Sequence, residues 1–170
     1  MMTGHHGTNK VNAQGILRTG FRKSKGKQWF GDGVYFFDDD QREALNWAIK
    51  VKKFETDFSV IRSDLSIKNP LKLHKAKEWD EFLRNKLNLQ LNMGNSSFKH
   101  REITDGYVVE FLCQRIARLT GSPVDVVICG CRVPAYDWAI EVTDVPRIQT
   151  QLCVREISCI TNTEIVEEAS

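Results

Sequence analysis

Two short stretches hold residue types suited to chemistry. One is Gly4-His5-His6-Gly7-Thr8, almost at the start of the chain; the other, further on, is Trp29-Phe30-Gly31-Asp32-Gly33-Val34-Tyr35-Phe36-Phe37. A histidine directly before a glycine at a strand end sets an imidazole beside backbone that carries no Cβ. A flat ligand can lie on such a peptide and bond both its N–H and its C=O, which is a grip for a carboxamide. Tyr35, with Gly31 and Gly33 clearing space before it, offers a flat wall for an aromatic ring. Taken singly, His6 reads as a strand-end histidine and Tyr35 as core. Together, in this order and spacing, they predict a site.

Positive charge gathers between the two stretches. Arg18, Arg22, Lys23, Lys25 and Lys27 are interleaved with Gly20, Phe21 and Gly26 and followed by Trp29. This segment reads either as a solvated surface or as a glycine-hinged loop over a phosphate-bearing ligand, pyrophosphate or nucleic acid. The net charge of the whole chain is +2, so the basic character is local.

The elements that must position these groups follow from the periodicities. Residues 3–7 read as a first strand, with Thr8 or Asn9 opening a short helix that ends at Gly20; residues 33–37 are a dense β-forming run. Asp40 caps a helix, Glu43 stands in capping-box position, and Ala44, Leu45, Trp47, Ala48 and Val51 form its buried side. Residues 58–67 return to strand. After Pro70 an amphipathic helix presents Trp79, Phe82, Leu83 and Leu87. Residues 88–105 read as a surface loop and 107–119 as a helix stopped by Gly121 and Pro123; 124–133 and 152–160 are the last strands. Strands and helices mix without the even alternation of a wound parallel sheet. A single α+β domain over residues 1–170 is expected, its strands split around inserted helices.

Composition narrows the classes. With 170 residues, 41% hydrophobic and 27% charged, the chain suits one folded core. No apolar run approaches the ~18 residues of a membrane span, and the first residues lack a signal-peptide layout; a cytoplasmic protein with no membrane association is expected. Cys113, Cys129, Cys131, Cys153 and Cys159 are odd in number and scattered, and read as reduced and mostly buried. Cys129-Gly130-Cys131 has no second close Cys or His pair to complete a metal site, so no metal is expected.

A nicotinamide ring is flat and aromatic and carries a carboxamide. His5-His6-Gly7-Thr8, then Gly15-Ile16 and Thr19-Gly20-Phe21, then residues 29–37, resemble the opening half of ADP-ribosyltransferases related to poly(ADP-ribose) polymerase and diphtheria toxin. Those enzymes carry a histidine in an HG[TS] strand and a tyrosine in an FGxGxYF strand. They place a further aromatic about a dozen residues after that tyrosine, in a segment similar to Glu43-Ala44-Leu45-Asn46-Trp47-Ala48. The pattern is also similar to small bacterial proteins with this core. The match covers roughly residues 4–50, with a weaker one at 125–128 and 150–160.

The resemblance implies a split antiparallel sheet with surrounding helices and NAD as substrate. It gives His6 the role of bonding the adenosine ribose, Gly7 that of clamping the carboxamide, Thr8 a place beside them, and Tyr35 and Trp47 the two sides of a nicotinamide sandwich. His5 takes the place of an aromatic wall residue and is not counted as catalytic. The third catalytic position, often glutamate in the family, aligns with Gln151. Glutamine can bond a ribose hydroxyl but cannot carry the charge that stabilises an oxocarbenium-like centre or take a proton from an acceptor. Glu156 does not replace it, because strand alternation points it to the other face. The implied activity is mono-ADP-ribosylation of a protein or nucleic acid, without chain elongation, and an inhibitory partner protein of unknown identity is compatible with it. Two alternatives stand beside it. One is a non-catalytic module that binds NAD or ADP-ribose. The other is an RNA- or DNA-modifying member, including the 2′-phosphate-removing transferases, for which Arg155 on the face of Gln151 is the one candidate pocket arginine.

Overall fold

The computed structural model describes residues 1–25, 29–94, 103–132 and 148–170. Strand β1 (Met2–Asn9) ends at a side-chain cap, since the Asn9 carboxamide oxygen accepts the Asn12 N–H at 2.8 Å. Helix α1 (Lys10–Thr19) follows and closes at Gly20, whose φ of 78° suits glycine. After β2 (Val34–Asp38), the Asp40 carboxylate accepts the Glu43 N–H at 3.0 Å and starts α2 (Gln41–Asn46), which widens into a π-helical turn over Trp47–Val51. The remaining elements are β3 (Phe58–Leu65), β4 (Pro70–Lys72), α3 (Ala76–Gly94), α4 (Asp105–Thr120), β5 (Val126–Arg132), β6 (Ile148–Val154), a 3-10 turn at Ile157–Cys159, and β7 (Ile160–Glu168). Strands and helices are mixed as expected of an α+β chain.

The strands form one mixed sheet in the order β4-β5-β6-β2-β1-β3-β7, with β4 parallel to β5 and the other pairs antiparallel. One face of the β4-β5-β6 side is covered by α3 and α4, where Phe82, Val109 and Leu112 pack with Val127, Cys129 and Cys153. On the opposite face Ala13 of α1 and Phe21 pack with Phe36, Ile61 and Leu152. The cysteines are free; Cys159 alone among them is half-buried, the rest buried. No helix among the described residues is long and apolar enough to cross a membrane.

Several expectations need correction. Residues 88–94 continue α3 rather than forming a loop, because nothing in Leu89-Gln90-Leu91-Asn92-Met93 interrupts a helix before Gly94. Residues 95–102, the rest of that predicted loop with Ser96 and Ser97, lie outside the described residues apart from its end at 103–105, where Ile103 is buried and Thr104 caps α4. The apolar stripe of α3 is covered only in part: Phe82 is buried, whereas Trp79, Leu83 and Leu87 are exposed. Val51 is exposed too, since the π-helical turn rotates it off the buried side of α2. Residues 152–160 are not one strand; β6 ends at Val154, and β7 runs on to Glu168 beside β3.

The sheet is weakest at one seam. β1 pairs with β3 from Met2 to Asn9, but with β2 at Gly4↔Asp38 and His5↔Phe37 alone. Beyond His5 the two strands part, and the gap opens where the sequence placed its chemistry.

Candidate functional site

At the parting of β1 and β2 the His6 ring bridges the gap: its Nδ1 lies 2.8 Å from the Tyr35 carbonyl oxygen. A carbonyl only accepts, so Nδ1 carries the proton and Nε2 keeps a lone pair for a ligand hydroxyl. Phe21 and Phe36 meet the imidazole edge-on, with centroids at 5.5 and 5.8 Å. Burial lowers the pKa of His6 from its ordinary 6.5; the carbonyl bond works against this, and the charge of Lys52 adds to it. His6 is therefore a neutral acceptor at neutral pH.

A cavity of about 620 Å³ opens from this point, and His6, Gly7, Thr8, Tyr35, Trp47 and Gln151 all line it. Every residue singled out from the sequence for this role thus reaches one space. His5 is buried away from it, and burial lowers its pKa, with Asp39 and Asp40 opposing the shift and Arg62 adding to it. Gln151 stands on β6 opposite Phe37 of β2 and Cys129 of β5. Glu156 faces elsewhere and meets Lys23 at 3.6 Å.

Packing by itself already requires two of these glycines. A Cβ on Gly7 would run into the carbonyl of Ala44 and crowd Ala48, so glycine is required there for α2 to approach β1, whatever the ligand. Gly31 has φ +84°, and a side chain there would strike Glu110 and Arg155. The turn is fixed from behind. Arg155 donates two hydrogen bonds to Glu110, at 2.6 and 2.8 Å, and Glu110 Oε1 also accepts the Asp32 N–H at 2.8 Å. From the front, the Tyr35 hydroxyl donates to Gly31 O at 2.8 Å and accepts from Phe30 N–H at 3.1 Å. Burial, reinforced by Cys153, raises the Tyr35 pKa, so the phenol stays protonated and keeps these bonds.

Arg155 is consequently not a pocket arginine: it follows the end of β6, and Glu110 of α4 holds it outside the cavity lining. The basic segment is also more tied than its glycines predict. Arg18 belongs to the last turn of α1, and Ser24 is bound to Gly33 through N–H, C=O and hydroxyl. Gly26 and Lys27 lie outside the described residues. Trp29 is 67% exposed at the cavity edge, where Arg22 also reaches.

Among the polar lining residues, Asn12 and Lys52 are examples not legible as site residues in the sequence. Asn12 sits in the first turn of α1, and only its nearness to the Asn9 cap hinted at it. Lys52 had no signal, for a reason that lies in the π-helical turn. Among the described residues no group of three or more His, Cys, Asp or Glu side chains could hold a metal ion. No protein-family model matches the chain, and no curated protein matches it in sequence.

Proposed function

We propose that this chain is a cytoplasmic NAD-dependent mono-ADP-ribosyltransferase, built on the split-sheet fold of that superfamily and acting on a macromolecular acceptor, protein or nucleic acid. One observation carries the reading: His6, Gly7, Thr8, Tyr35, Trp47 and Gln151 line a single cavity at the point where β1 and β2 part. The neutral Nε2 of His6 suits a ribose hydroxyl, and the Gly7 backbone suits a carboxamide. Tyr35 and Trp47 supply aromatic surface for the ring.

In this reading the bond between the ribose C1′ and the nicotinamide nitrogen breaks first, its electron pair leaving with the ring as neutral nicotinamide. The acceptor nucleophile then bonds to C1′ and its proton passes to water, since Gln151 is no base. The chain's contribution is positioning and desolvation. Gln151 bonds a ribose hydroxyl without adding negative charge, which favours slow transfer of single units. The same residue favours a second reading, a non-catalytic NAD- or ADP-ribose-binding module. The ion pair that occupies Arg155 speaks against a 2′-phosphate-removing enzyme.

Calorimetry with NAD tests the site. His6→Ala and Tyr35→Ala are each expected to weaken NAD binding by about tenfold or more, the loss of one hydrogen bond or one stacking wall. Unchanged affinity in both variants would remove the basis for the assignment.

A further inference from the structure

We infer that Lys52 is the residue of this cavity that binds the pyrophosphate of the nucleotide, an inference that rests on the NAD reading above. It begins from the π-helical turn. In an α-helix five residues make about 1.4 turns, so Trp47 and Lys52 would point well apart. Here the Lys52 N–H bonds the Trp47 carbonyl at 2.9 Å, the i→i+5 bond of a π-turn, and the two side chains come together. The Lys52 ammonium lies 5.5 Å from the centroid of the Trp47 ring, and both residues line the cavity. Such turns are frequent at functional sites, and this one has a specific effect: it brings a cation to the wall.

Two further observations give that cation its partner. The ammonium is tied to Trp47, and its charge is also felt at His6. With nicotinamide against Trp47 and the adenosine ribose at His6, the part of the molecule between them is a ribose and two phosphates. Arg22 also lines the cavity, but it adjoins Phe21, whose ring lies against His6, on the adenosine side. The second observation concerns charge. No carboxylate lines the cavity among the described residues, and Lys52 has no ion-pair partner among them. A lysine left without a counter-charge beside an acid-free cavity favours an anion.

Calorimetry on the full chain with three probes, NAD, ADP-ribose and nicotinamide, tests this. Lys52 is exposed, so Lys52→Met leaves the fold intact, checked by thermal melting. The variant is expected to bind NAD and ADP-ribose about tenfold more weakly at low salt, the scale of one charge-assisted bond, and nicotinamide unchanged. The deficit shrinks as salt rises, and Lys52→Arg restores most of the affinity. An equal loss for nicotinamide would mean that Lys52 merely props Trp47, and no loss for any probe would mean that it takes no part; either overturns the inference while leaving the NAD reading in place. Wild-type protein that binds none of the three would overturn both.

Discussion

Glu110→Ala is expected to destabilise the fold by about 3 kcal/mol. Removing one partner of a buried ion pair costs about 3–5 kcal/mol because the other charge stays behind unpaired. The low end applies because the Glu110 side chain keeps 29% of its exposure and Arg155 keeps 16%. The Asp32 N–H loses its acceptor in the same step. Replacing both partners with apolar residues of similar size, Glu110→Leu with Arg155→Met, is expected to recover most of the loss. Acid supplies a second check. Burial alone would raise the Glu110 pKa, but the Arg155 and Asp32 hydrogen bonds outweigh it and hold the carboxyl below its ordinary 4.5. A carboxyl lowered in the folded state stabilises fully above its unfolded value and loses that contribution as pH falls through the folded one. The stability gap between wild type and Glu110→Ala should therefore be constant at neutral pH and narrow below pH 4.5. Urea melts of the two proteins across that range measure it, and a gap that persists into acid would show that the pair is not its source.

The second large effect is a gain. Gln151→Glu is expected to raise nicotinamide release from NAD by about 10²-fold, the scale of one preorganised electrostatic group at a developing charge. Gln151 lines the cavity, and no carboxylate lines it among the described residues, so on the proposed reading the substitution supplies the one negative charge beside the ribose. NAD affinity should change little, since both side chains accept a hydroxyl bond. A rise in turnover number with an unchanged binding constant is the expected pattern. A variant that folds but no longer binds NAD would mean that Gln151 holds another role.

How much of this was legible depends on how local each cause is. The caps at Asn9 and Asp40 were readable because a side chain and the N–H it accepts lie three residues apart. The meeting of His6, Tyr35 and Gln151 came from whole motifs, not from periodicity. Gly7 was correctly marked as special but for an incomplete reason, because Ala44, whose carbonyl crowds it, belongs to a later helix. The Glu110–Arg155 pair spans 45 residues, and alternation along β6 alone pointed the arginine at the wrong neighbour. In α3 the apolar period marks a face without saying what covers it, and only Phe82 of the four named residues is buried. Lys52 was invisible because a helical wheel assumes 3.6 residues per turn, and the π-helical turn departs from it at that place.

The most direct test of the central claim is to incubate the protein with NAD labelled in its adenosine half, together with a cell lysate, and to follow both free nicotinamide and label bound to macromolecules. The reading predicts slow release of nicotinamide with label transferred to protein or nucleic acid, distinguished by protease and nuclease digestion. It also predicts the loss of both signals in His6→Ala and Tyr35→Ala. Intact NAD after long incubation, with no label transferred by wild-type protein that binds NAD, would contradict the transferase assignment and leave a binding module in its place.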